Sequence, residues 1–182
     1  MTGKLWETMK DDPFAKDYVF KIVRPPNVDI YAMAQCRKLC SRNLCNSFGT
    51  NWGCPPGSGE PEECMFEINR FKNTAVIYKR FNDIDFTDRE HIKEIGKAHQ
   101  DLCRKFANAL RKEGYDVLPL ADGGCTYCDV CSYPKEPCRF PDQMVPSVSG
   151  FGINMDTYLN SQGINFKFED DAFTLYGLIF YN

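Results

Sequence analysis

From Asp88 to Lys112, Ile92, Ile95, His99, Leu102, Cys103, Phe106 and Leu110 recur at helical spacing, and Gly114 follows as a stop signal. This stripe predicts a long amphipathic helix packed on a sheet. A shorter stripe of Cys64, Ile68 and Phe71 predicts a helix over Glu60 to Phe71, and Asn154 to Asn160 reads as a third, stopped near Gly163. β-branched and aromatic residues mark Asp17 to Val23 and Val28 to Ala34 as strands parted by Pro25-Pro26, and Thr74 to Phe81 and Asp116 to Leu120 as two more. Ala172 to Tyr181 is apolar enough for a central strand, with Asn165 to Glu169 as its expected neighbour. Between Cys36 and Gly59 the pattern dissolves into a loop punctuated by Gly49, Gly53, Pro55, Pro56, Gly57 and Gly59. The order of elements predicts an α+β fold: a single domain over residues 1–182, with a mixed or antiparallel β-sheet packed by helices and two cysteine-rich metal-binding loops.

Composition narrows the function. With 182 residues, 43% of them apolar, the chain has material for one sizeable core. A net charge of -3 with both signs intermixed offers no basic stripe, so nucleic acid is not an expected partner. No stretch approaches a membrane span, and Met1 to Phe14, with Lys4, Glu7, Lys10, Asp11 and Asp12, lacks the apolar run of a secretory signal. A soluble, cytoplasmic protein is expected. In a reducing compartment ten cysteines point to metal or redox chemistry rather than disulfides.

Eight of the ten fall into two groups. Cys125, Cys128 and Cys131 are spaced by two residues and Cys138 follows seven positions on, a pattern in which a short loop supplies three thiolates to a [4Fe–4S] cluster and a fourth arrives from further away. Zinc suits this loop less well, because it usually takes paired cysteines from two knuckles. Gly123 and Gly124 let backbone N–H groups face an anionic centre, and Arg139 is either a counter-charge, an anion site or an ordinary surface arginine. Cys36, Cys40, Cys45 and Cys54 form a looser group whose wider gaps still reach the corners of a cubane. Cys64 and Cys103 lie on apolar helix faces and read as core residues. His91 and His99 lack the carboxylate context of a zinc hydrolase, Trp52 reads as a loop anchor or a shield, and no catalytic residue is assigned.

Cys40, Cys45, Phe48-Gly49, Trp52 and Cys54-Pro55-Pro56, followed by Cys125, Cys128, Cys131, Pro137-Cys138-Arg139, Pro141, Pro146-Ser147 and Gly152-Ile153, resemble the cysteine-rich, predicted metal-binding family known as domain of unknown function 2284. The resemblance runs from about Cys36 to the C-terminus. It implies metal binding and no substrate, and it marks Cys40, Cys45, Cys54, Cys125, Cys128, Cys131 and Cys138 as the family's cysteine positions, Cys36 matching less closely. Two departures stand out: Phe48 where the family often has Tyr, and Ser147 to Gly150 where it tends to carry an acidic residue. The expected function is an iron–sulfur protein with two [4Fe–4S] clusters, acting in electron transfer or as the redox part of a reductive enzyme, with redox partner proteins. The alternatives are a zinc-stabilised interaction module and a cluster carrier.

Overall fold

The structure, a computed structural model, describes residues 2–10, 12–167, 169 and 172–182. Met1 and Asp11 of the N-terminal reading, and Phe168 of the expected strand at 165–169, lie outside the described residues. Strands β1 (Val19–Val23), β2 (Asn73–Asn82), β3 (Val117–Ala121) and β4 (Ala172–Tyr181) form one antiparallel sheet in the order β1-β2-β4-β3. Helices α1 (Thr2–Met9), α2 (Ile30–Cys40), α3 (Pro61–Asn69), α4 (Arg89–Lys112) and α5 (Met155–Ser161) cover it. The architecture is therefore α+β. Among the described residues, no helix is long and apolar enough to cross a membrane.

Both faces are buried at the centre of the sheet, which explains the apolar run Ala75 to Tyr78 in β2 and the apolar character of β4. Ala75, Ile77, Ile179 and Tyr181 face a core made with Leu102, Phe106 and Leu110 of α4 and Trp6 of α1. Alternate positions Val76, Leu178 and Phe180 face a second core with Met33 of α2, Ile68 of α3 and Leu159 of α5. Helix α4 matches its expected span, and Asp88 caps it by accepting from the His91 N–H at 3.0 Å.

Three segments depart from expectation. Val28 to Ala34 is not a strand: Asp29 accepts from the Tyr31 and Ala32 N–H groups at 3.1 and 3.0 Å and starts α2. The cap and the helix formers Ala32, Met33 and Ala34 outweigh the β preference of Ile30 and Tyr31. The helix runs through Cys40, so the expected loop at Cys36 begins later and only the second cysteine group directly follows a strand. The described part of Asn165 to Glu169 is irregular, because β2 and β3 already occupy both edges of β4. Phe166 instead packs on Tyr176, with ring centroids 5.4 Å apart. Helix α1 had no counterpart in the sequence reading; its Trp6 stacks on Phe20 at 5.1 Å and meets Phe106 edge-on at 5.8 Å.

His99 is fully buried: Nδ1 lies 3.0 Å from the Tyr18 hydroxyl and Nε2 lies 3.7 Å from Cys103 Sγ. Burial pulls its pKa down to about 4. Between about pH 6.5 and 4 the unfolded chain binds a proton that the folded chain refuses, so His99 lowers stability as pH falls. Asp122 acts oppositely. Burial pushes its inward-turned carboxyl up to about 6, although Tyr176 N–H donates to it at 2.7 Å. Folded Asp122 therefore holds a proton between about pH 4 and 6 that the unfolded chain releases, which adds stability toward acid. The two slopes offset each other in wild type, whose denaturant midpoint is expected to change little from these groups between about pH 6 and 4.5. Asp122→Asn leaves His99 unopposed and should lose on the order of 2 kcal/mol over that interval. An Asp122→Asn profile parallel to wild type would contradict this pairing.

Candidate metal centre

All ten cysteines are free thiols. Cys40, Cys45 and Cys54 line one cleft, together with Phe48, Pro55, Gly123, Gly124, Ser147 and Ser149. Cys125, Cys128, Cys131 and Cys138 line a second, together with Trp52, Tyr127, Phe140 and Met144. Cys36 lies one helical turn before Cys40 on α2, close enough for the charge of Cys40 to raise its thiol beyond the larger effect of burial, but it is not part of the cleft wall. Cys64 and Cys103 are buried core residues.

The first loop is folded on itself by asparagines. Asn43 Oδ1 accepts from the Phe48 N–H at 3.0 Å and Asn51 Oδ1 from the Gly53 N–H at 2.9 Å. Asn43, Asn46 and Gly49 all adopt positive φ, and the Gly49 N–H donates to the Pro55 carbonyl at 2.8 Å. The second loop is clamped from α4. The buried Gln100 donates to the carbonyls of Asp122 and Gly124 at 3.2 and 2.7 Å and accepts from the Thr126 N–H at 3.0 Å. Arg104, also buried on α4, stacks over Tyr127 at 4.9 Å, which places a guanidinium behind one wall of the second cleft. Arg139 donates to the Val130 carbonyl and braces the exposed end of the loop. Sequence reasoning missed Gln100, Asn51 and Arg104; a glutamine one position beyond His99 carries no motif that would single it out.

The two clefts abut. A Cβ added at Gly53 of the first loop would lie 2.9 Å from Cys125 Cβ, and one added at Gly124 of the second would lie 3.1 Å from Cys54 Sγ. Trp52 crosses the same boundary, donating from Nε1 to the Glu136 carbonyl at 3.1 Å and meeting the Tyr133 ring edge-on at 4.9 Å. The Ser147 N–H donates to the Gly53 carbonyl at 2.8 Å, so the segment beside the end of β3 holds the junction from the other side.

Burial pushes the Cys54 thiol up to about 12, with the charges of Cys45, Cys40 and Cys125 acting in the same direction and a hydrogen bond from Asn51 opposing them. Cys138 is raised by burial first and then by Cys125, Cys131 and Cys128. Thiols crowded this way ionise together when a cationic centre offsets their charge, which is the behaviour of metal ligands. Among the described residues, no three His, Cys, Asp or Glu side chains converge on a point that a single metal ion could fill. Four thiolates around one zinc ion stand about 3.8 Å apart, given a Zn–S bond of about 2.3 Å. A polynuclear cluster takes its thiolates at separate irons and spreads them wider. The first cleft, about 130 Å³, has room for such a group; the second is tighter, about 20 Å³, and its fit rests on the four-thiol donor set.

No curated protein and no solved structure matches the chain. A family model described as predicted metal-binding protein (DUF2284) matches residues 26–181, a span that takes in both thiol clefts, the clamp from Gln100 and strands β2, β3 and β4 of the sheet beneath them. The chain belongs to the DUF2284 family of predicted metal-binding proteins.

Proposed function

We propose that the chain is an iron–sulfur protein with a [4Fe–4S] cluster in each thiol cleft, acting in electron transfer or as the redox component of a reductive enzyme system. The abutment of the clefts at Gly53, Cys54, Gly124 and Cys125 carries this reading. Cys125, Cys128, Cys131 and Cys138 would hold one cluster. Cys40, Cys45 and Cys54 would hold the other, with Cys36 as the nearest further thiol. Such clusters supply one-electron transfer, and the protein's part is to set them side by side and tune them. Gln100 fixes the second loop, Arg104, paired with Asp101, backs Tyr127 of that cleft, and Trp52 and Phe140 limit water there. Ten free thiols fit a reducing, cytoplasmic setting. Redox partner proteins follow from the chemistry, because a relay needs a donor and an acceptor.

The exposure of Cys45 gives the carrier reading some footing, since an accessible cluster is more easily passed on. A zinc-held interaction module would draw on the same thiols, with an ion in place of each cluster and no sulfide. Protein purified without oxygen and analysed for iron, zinc and acid-labile sulfide separates these readings. The expected outcome is iron and sulfide in equal amounts with a broad brown absorption.

A further inference from the structure

The lip of the first cleft is both apolar and basic. Leu39 and Leu44, each immediately before a thiol of that cleft, are 58% and 86% exposed. Lys38 and Arg42, beside them, are exposed as well. From residue 30 to residue 59 the chain carries Arg37, Lys38 and Arg42 and no Asp or Glu, although acidic residues outnumber basic ones overall, 25 to 22. Arg37 is not part of this lip, since its Nη1 is buried. Helix C-termini attract cations, and the position of Lys38 in the last turn of α2 has that local benefit. The dipole explains neither Arg42, which lies beyond the helix, nor two leucines left in water.

We propose that Lys38, Leu39, Arg42 and Leu44 form a docking surface for an acidic electron-carrier protein, which would exchange electrons at the first cleft. That the partner carries electrons rests on the iron–sulfur reading; that it is acidic rests on the charge of the lip. A basic rim steers an acidic partner and the exposed leucines give contact area at the centre, next to Cys40 and Cys45. A second copy of this chain fits poorly, because a two-fold axis through the lip would set Lys38 and Arg42 against their own equivalents.

The test is calorimetric titration of an oxidised, acidic plant-type [2Fe–2S] ferredoxin into the full chain at low and high salt. Wild type is expected to bind with an affinity that falls as salt rises. The Lys38→Glu/Arg42→Glu variant should bind at least about tenfold more weakly, and Leu44→Ser should also weaken binding, with thermal midpoints and iron content unchanged. Equal binding by wild type and the charge-reversed variant, or no binding by wild type, would overturn the proposal. A wild-type dimer in sedimentation that Leu44→Ser dissolves would overturn it in favour of a second copy. Binding needs no cluster in this chain, so the titration judges the surface even where iron analysis shows the iron–sulfur reading to be wrong.

Discussion

Gly124→Ala is expected to disturb both thiol clefts with one added methyl group. The new Cβ would lie 2.8 Å from Asn51 Nδ2, 3.1 Å from Cys54 Sγ and 3.3 Å from Ser47 Oγ, all on the first loop, while Gly124 belongs to the second. Asn51 cannot swing away freely, because its Oδ1 holds the Gly53 N–H. Gly124 itself is fixed by its carbonyl, which accepts from Gln100 at 2.7 Å. The contact must therefore be relieved by parting the loops, which moves Cys54 and Cys125 together. After anaerobic reconstitution the variant should retain well under half of the wild-type iron and sulfide. Cys128→Ser, which touches only the second cleft, should leave about half. Full iron in Gly124→Ala would contradict the abutment of the two sites.

The largest stability effect is expected at Gly177, in the middle of β4. A Cβ there would collide with Cys103 Sγ, which is buried on α4 one turn from the buried His99. The backbone at this glycine is not strained, so the cost is overpacking between helix and sheet, about 1–3 kcal/mol. Cys103→Ala removes the offending sulfur. The double variant Gly177→Ala/Cys103→Ala should be more stable than the sum of the single changes by about 1 kcal/mol or more in denaturant titrations. Additive effects would show that α4 shifts as a body and that Cys103 is not the obstacle.

Where local pattern and tertiary environment agreed, the fold was legible. The stripe on α4 is long, ends at capping residues and faces a sheet, so period and burial say the same thing. The run from Ala172 to Tyr181 is continuous because β4 has strands on both edges and cores on both faces. Ile30 and Tyr31 misled because their side chains suit a strand, while the Asp29 cap that decides the matter is one short hydrogen-bonding residue. Trp6 was hidden among charged neighbours, and a single aromatic residue in a short helix leaves little periodic signal.

The site shows the same division. Spacing brought out eight thiols, and seven of them line two clefts. That Cys36 stands apart follows from the helical start of the segment, which the loop-like composition after it obscured. The closeness of the clefts depends on Gly53 and Gly124 meeting across more than seventy residues of chain, and no local pattern encodes such a long-range contact. Gln100 and Arg104 act from the polar edge of a helix whose apolar stripe alone drew notice.

The measurement that bears most directly on the central claim is the iron, acid-labile sulfide and zinc content per chain of protein purified and reconstituted without oxygen. Two adjacent [4Fe–4S] sites predict about eight irons and about eight sulfides, with magnetic interaction between the spins when both clusters are reduced. Stoichiometric zinc without sulfide, persisting after attempted reconstitution, would contradict the account and leave a zinc-held fold in its place.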